Sequence, residues 1–288
     1  MNLAGKNIKC IAFDLDHTVI NSDGTMSDAT RTVIEQAIAE GIEIVPVSGR
    51  AFATFPESIG QIKGISYAVT SNGAAIYNKK TGERIHGVAI EYADLHSILD
   101  AFAHYFHNGQ ITYEAFVDGV AYGGREYVEH PEAFGVPERN VAYVQSTRKP
   151  VDDIIAFLSE HEEELDSLDI VVGDERTKAT LRRIISEQVE GIYLTSSVPT
   201  LLEISDEKAG KATALAFLAD YLQIPQEATV AFGNAENDID MICWAGVGVA
   251  VENSPEEVRR AADEITRTND ADGVARWIER KQLADSPI

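Results

Sequence analysis

The chain has 288 residues, 44% of them apolar, and sets 47 Asp and Glu against 24 Lys and Arg for a formal net charge of −23. That length allows one large domain or two smaller ones with a substantial core. The charge argues against a nucleic-acid surface, which needs a basic patch, and no apolar run reaches membrane-spanning length. The start of the chain has no signal-peptide core, and Cys10 and Cys243 lie far apart in apolar segments. Both read as small buried hydrophobes of a reducing compartment, and the protein as cytoplasmic. The acidic balance leaves an anionic small substrate open, because a few cations and a metal can reverse the field locally.

Residues 8–13 form an apolar run that reads as a buried strand and stops at Asp14-Leu15-Asp16. In extended chain, alternate side chains share a side, so both carboxylates stand together at the strand's C-terminal end. Open parallel sheets bind their ligands at that end. Two like charges held close favour a cation between them or a raised pKa on one. Ser27 or Asp28 caps the next helix, whose Val33, Ile34, Ala37 and Ile38 make one stripe before Gly41 stops it. Residues 42–47 predict a second strand that ends at Ser48-Gly49-Arg50, with Pro46 an awkward member. Residues 67–70 predict a third, ending at Ser71-Asn72-Gly73.

From about residue 83 to 195 the texture changes, with strand-like pieces at 111–116 and 170–172 among helices at 93–106, 151–161 and 177–186. This reads as an inserted α+β module with linkers near 80–86 and 190–200. Within it, Glu162-Glu163-Glu164 reads as a solvated helix face, and Arg125, Arg148, Lys149 and Arg176 as solvated surface charges. The first rhythm then resumes. A helix over 209–222 precedes Pro225, a strand over 229–232 ends at Gly233-Asn234, a helix covers 236–244 and a strand 247–251. Ser254-Pro255-Glu256-Glu257 is a helix start, with a cap, a proline and a capping-box glutamate. Met241, Cys243 and Trp244 read as core. Alternating strands and helices make this an α/β protein. Its Rossmann-like parallel-sheet core is split into 1–83 and 196–288 around a module at 84–195.

Several strand ends thus carry polar residues: Asp14 and Asp16, Ser48, Asn72, and Asn234, Asn237 and Asp238. With Lys211 they make a set for phosphoryl transfer. Asp14 is the expected nucleophile, and Asp16 the acid that protonates the leaving oxygen and then activates water. Mg²⁺ would take oxygens from Asp14, the Asp16 carbonyl and the Asn234 loop. Ser48 and Lys211 would hold phosphoryl oxygens. Each residue has a plainer role open to it: Ser48 a helix cap, Asn234, Asn237 and Asp238 turn residues, Arg50 a partner for a surface carboxylate. Lys211 sits at a helix start, where the dipole disfavours a cation, so an anion is expected beside it. Lys208 is the competing lysine.

The set resembles the haloacid dehalogenase-like hydrolases, in their Cof-type branch with a class IIB cap. Phe13-Asp14-Leu15-Asp16-His17-Thr18 matches the first motif and Ser48-Gly49-Arg50 the second. Lys211-Ala212-Thr213-Ala214-Leu215, after Leu202-Glu203-Ile204, matches the third, and Gly233-Asn234-Ala235-Glu236-Asn237-Asp238-Ile239-Asp240-Met241 the fourth. Ser71-Asn72-Gly73-Ala74 and Asp272-Gly273-Val274-Ala275 also fit this branch. The resemblance implies a Mg²⁺-dependent phosphatase of small phosphorylated metabolites, such as sugar phosphates or phosphorylated cofactors, with a cap that selects the substrate. It implies Asp14, Asp16, Ser48 and Lys211 as catalytic residues, with Thr18, Gly49, Arg50, Asn72 and Asn237 around the phosphate. Asp14, Asp16, Asn234 and Asp238 are its expected metal set. A phosphotransferase or phosphomutase on the same scaffold is the alternative, and a binding protein without turnover a third. Two positions depart from the family pattern. His17 stands where glycine is usual, and Asn234 stands where an aspartate usually ligates Mg²⁺. The lost charge predicts weaker metal binding, with Asp238 compensating.

Overall fold

The computed structural model describes residues 2, 3 and 6–284. The chain divides into two compact units, one running up to Gly49, over Phe55–Ile85 and from Gly210 onward, the other comprising Arg50–Thr54 and His86–Ala209. The return to the first unit is thus at Gly210, later than the expected 196. Leu201–Asp206 is the reason: it pairs antiparallel with Leu165–Val172 and Ile192–Thr195 in the second unit. Its alternating apolar pattern marks a strand but not the sheet that strand joins.

The first unit is built on a five-stranded sheet in the order Glu264–Thr266, Val247–Val251, Thr229–Gly233, Cys10–Phe13 and Glu43–Pro46, with every neighbouring pair parallel. Both faces are buried. Ile11 and Phe13 point into a cluster with Val230, Phe232 and Trp277, while Cys10 and Ala12 point into one with Val45, Leu215 and Leu218. Covered faces make the strands continuous apolar runs, which is how they stand out in the sequence. Pro46 is accommodated because Glu43–Pro46 ends the row. The amides of Glu43 and Val47 bond to Lys9 and Phe13, so the missing N–H of Pro46 faces away from that ladder. Tyr67–Thr70 does not extend the parallel sheet. It pairs antiparallel with Ala75–Asn78 and meets the sheet through a single bridge, Val47 to Val69.

Helix Asp28–Ala39 starts as expected, with Ser27 accepting from the Thr30 amide. The helix expected at 236–244 opens as a 3-10 turn, Glu236–Asp238, and becomes α-helical over Ile239–Trp244. Ser254 does not cap its helix. The helix begins at Glu256, and the buried Ser254 hydroxyl has no hydrogen-bond partner among the described residues. Met241 is core, Trp244 is half-buried, and Cys243 is exposed, contrary to expectation. Cys10 is buried, and burial with Glu43 nearby pushes its thiol up to about 12, so it stays protonated. Among the described residues no helix is long and apolar enough to cross a membrane.

The second unit carries a six-stranded mixed sheet in the order Arg148–Val151, Val120–Gly124, Ile111–Val117, Leu165–Val172, Leu201–Asp206 and Ile192–Thr195. Helices Tyr92–His107 and Glu175–Gln188 place Leu95, Phe102, Leu181 and Ile185 in one cluster with Tyr113 and Ile170 of the sheet. Glu162-Glu163-Glu164 lies in a turn before Leu165–Val172 rather than on a helix. Arg148 is not a solvated charge. It is buried, and its guanidinium donates to Glu114 at 2.7 Å. The strand register sets Glu114, Asp169 and Glu203 side by side across neighbouring strands. Arg148 and the Tyr127 hydroxyl serve Glu114, and Ser197 serves Glu203. Asp169 stands between the other two carboxylates and accepts from the Ser167 hydroxyl at 3.4 Å.

Burial, then the charges of Glu203 and Glu114, hold the Asp169 carboxyl well above the usual carboxylate range, against the pull of Arg148. A carboxyl whose pKa is higher folded than unfolded binds its proton more tightly in the native state. Its contribution is therefore fully present below the unfolded pKa and is lost as pH rises toward the folded one. Asp169→Asn keeps the shape and removes this loss. We expect it to raise the thermal midpoint by a few degrees, about 1 kcal/mol, near pH 8, and to do less near pH 5. Melts of both proteins across that range check this; an equal effect at both ends counts against the buried acid.

Candidate active site

The order of strands in the parallel sheet reverses between Cys10–Phe13 and Thr229–Gly233. The chain moves outward from the first to Glu43–Pro46 on one side, then returns to build the other three on the opposite side. A crevice beyond the strand ends is expected at such a switch point. Asp14 follows one of these two strands and Asn234 the other, and the Asp14 amide donates to Phe232 O at 2.9 Å, joining them. The loop after Asp14 winds about the buried Leu15, whose carbonyl accepts from the amides of Thr18, Val19 and Ile20. His17 lies on that loop at φ 60°, in the left-handed region that glycine adopts freely, and Asn253 steadies it by donating to its carbonyl at 2.9 Å.

Lys211 answers the question its position raised. Its side chain is fully buried, and Nζ lies 2.7 Å from Asp14 Oδ1 and 2.6 Å from Asp238 Oδ1. Burial alone would lower the lysine's pKa; Asp14 and Asp238 more than offset that and hold it above its ordinary range. Burial pushes the Asp14 carboxyl up to about 7, with Lys211 pulling it down and Asp238 and Asp16 adding to the rise. Lys208 belongs to the other unit, where its exposed ammonium lies 3.4 Å from Glu91.

Two close backbone approaches position these groups. Gly73 stands at φ 97°, and a Cβ there would lie 2.1 Å from Gly210 O, so only glycine lets the turn seat against the residue before Lys211. At Gly233 a Cβ would meet Asp238 Cβ at 2.4 Å. Ser71 and Asn72 also take left-handed conformations, at φ 49° and 52°, the kind of strain that gathers at functional sites. The turn is tied down on both sides. Ser48 donates its amide to Val69 O and accepts from the Asn72 amide, while Asn72 Oδ1 accepts from Asn237 Nδ2 at 2.9 Å.

The expected residues therefore separate. Asp14, Lys211 and Asp238 are in direct contact, and Ser48, Asn72 and Asn237 form a second bonded chain one residue from Asp238. Thr18 is buried and within 2.9 Å of the Asn234 side chain. Asp16 is half-buried after the first strand, and Gly49 follows Ser48 half-buried. Two further residues have these surroundings. Arg50 lies in the other unit, where it donates to Thr54 O and sits over the Tyr143 ring. Asp238, expected as a metal ligand, accepts from Lys211 at Oδ1 and from the amides of Asn234 and Ala235 at Oδ2, so it holds the lysine and the turn.

Oxygen donors for a hard cation are present beside Asp14. The terminal amide atom of Asn234 lies 3.2 Å from Asp14 Oδ2, 2.9 Å from the Asp16 carbonyl and 2.9 Å from Thr18 Oγ1. A carboxylate and a carbonyl only accept hydrogen bonds, so the Asn234 atom between them is the NH₂ nitrogen. With the amide turned over, its oxygen would join those of Asp14 and Asp16, a set that fits Mg²⁺ with one carboxylate fewer than two acids would give.

The model of a family described as haloacid dehalogenase-like hydrolase matches residues 11–278. Phosphatase YwpJ of Bacillus subtilis is 33% identical over 290 residues, covering 94% of this chain and 99% of its own. The 5-amino-6-(5-phospho-D-ribitylamino)uracil phosphatase YcsE of the same organism is 29% identical, over 94% of this chain and 95% of its own. The solved structure of a haloacid dehalogenase-like hydrolase from B. subtilis superposes with a TM-score of 0.78 at 29% identity, covering 94% of this chain and 99% of that one.

Proposed function

This chain belongs to the haloacid dehalogenase-like hydrolases and is a phosphatase, and we propose that it is a magnesium-dependent one, releasing inorganic phosphate from small phosphorylated metabolites through an aspartyl-phosphate on Asp14. The reading rests above all on a buried lysine held 2.7 Å from the carboxylate at the sheet's switch point. In the first step an Asp14 oxygen forms a bond to phosphorus as the ester P–O bond breaks, and Asp16 gives its proton to the leaving oxygen. In the second, Asp16 takes a proton from water, whose oxygen bonds to phosphorus as the Asp14–phosphorus link breaks. Both carboxyls are then as they began. Lys211 fixes Asp14 and offers positive charge to the phosphoryl oxygens, with Ser48, Gly49, Thr18, Asn72 and Asn237 around them. Asp14, the Asp16 carbonyl and Asn234 would hold magnesium, which when bound offsets the charge between carboxylate and phosphate.

Sugar phosphates and phosphorylated cofactors are the proposed substrates. The relative named for 5-amino-6-(5-phospho-D-ribitylamino)uracil supports this class, since that compound carries its phosphate on a polyol chain. The test is phosphate release across a panel of phosphorylated metabolites, with and without Mg²⁺ and with no acceptor added. We expect release that needs the metal. Turnover only when an acceptor hydroxyl is supplied would make the chain a phosphotransferase, and none under any condition would make it a binding protein.

A further inference from the structure

Both oxygens of Asp14 have a donor from the protein itself: Lys211 Nζ on Oδ1 at 2.7 Å, and the Asn234 amide nitrogen on Oδ2 at 3.2 Å. That nitrogen also reaches the Asp16 carbonyl at 2.9 Å. Asp14 Oδ2 and the Asp16 carbonyl are the oxygens that would face a metal ion. We propose that Asn234 is a stand-in for the cation: its NH₂ group holds these acceptors together in the metal-free protein and must turn away before a divalent ion can bind. The identity of that ion as magnesium rests on the function proposed above.

Thr18 makes both orientations workable. Its hydroxyl is 2.9 Å from the Asn234 atom that faces the site, and a hydroxyl both donates and accepts. In the metal-free form it accepts a hydrogen of the nitrogen shared with one of the other two acceptors, and it donates to the oxygen once the amide has turned. Asp238 limits the motion to the side chain, because its Oδ2 binds the main-chain amides of Asn234 and Ala235 at 2.8 and 2.9 Å. Loading thus exchanges two N–H···O bonds for metal–oxygen contacts, with a neutral ligand in place of a charged one. An aspartate at this position would reverse the balance. Its oxygen would face Asp14 Oδ2 and the Asp16 carbonyl with no hydrogen to share, which disfavours the metal-free site and favours the filled one.

The test compares wild type, Asn234→Asp and Asn234→Ala by thermal melts of the full chain, metal-free and across a Mg²⁺ titration. The aspartate variant is expected to melt below wild type without metal. Its midpoint should rise further with Mg²⁺, with half-saturation at least about tenfold lower. The alanine variant loses the donor without gaining a ligand, so its metal-free midpoint should fall and Mg²⁺ should not restore it. A metal-free midpoint equal to wild type in either variant overturns the proposal, as does an unchanged Mg²⁺ half-saturation in Asn234→Asp. If the aspartate variant does not fold, the alanine variant still decides. No turnover enters these readings, so a failed phosphatase assay and a failed stand-in role are told apart.

Discussion

Asp14→Asn is expected to lower phosphate release by about 10³-fold or more, since an amide oxygen cannot replace the carboxylate that takes up the phosphoryl group. The loss should appear in kcat rather than as unfolding. Asparagine matches aspartate in shape, and Lys211 keeps its 2.6 Å contact with Asp238. The natural phosphorylated substrate should still bind, held by Lys211, Ser48 and the Asn72–Asn237 pair. Single-turnover kinetics with a melting control separate these effects. A variant that keeps even a tenth of wild-type turnover would mean that water attacks phosphorus directly.

Lys211→Met should remove both activity and stability. The wild-type ammonium is fully buried between two carboxylates, and without it Asp14 and Asp238 face each other with no counter-charge. Breaking a buried ion pair by deleting one partner costs about 3–5 kcal/mol. Methionine matches the length of the lysine stem, so little of that cost is cavity. Denaturant unfolding of the full chain measures the stability term and phosphate release the catalytic one. A loss under about 1 kcal/mol would place the lysine among ordinary surface cations, against its burial. Lys208→Met is the control: that exposed side chain lies 3.4 Å from the equally exposed Glu91. Its removal should leave stability and turnover within error.

Much of this site is legible in the sequence, for local reasons. The i, i+2 acids follow an apolar run, and its strand Cys10–Phe13 is apolar throughout because both faces are covered. Lys211 stood out because a cation at a helix start needs an anion, and two were found. What stayed hidden depends on partners distant in the chain. Nothing local marks Arg148 as the partner of Glu114, or sets Leu201–Asp206 beside Leu165–Val172 rather than in the parallel sheet. Asp238 could be recognised as a site residue, but not that its oxygens are spent on Lys211 and two main-chain amides. Arg50 closes the second motif, and only the fold shows the chain crossing into the other unit there. Of the departures from the family pattern, His17 is explained by a left-handed backbone that histidine can occupy, and Asn234 by the acceptors it serves.

The covalent step is open to direct capture. Wild-type protein incubated with a turned-over substrate is quenched in acid and treated with borohydride, which reduces an acyl phosphate to an alcohol. Peptide mass spectrometry then reads where the change lies. Homoserine in place of Asp14, absent from the Asp14→Asn variant, is the predicted result. Reduction at another carboxylate, or at none while phosphate is being released, would contradict an aspartyl-phosphate on Asp14.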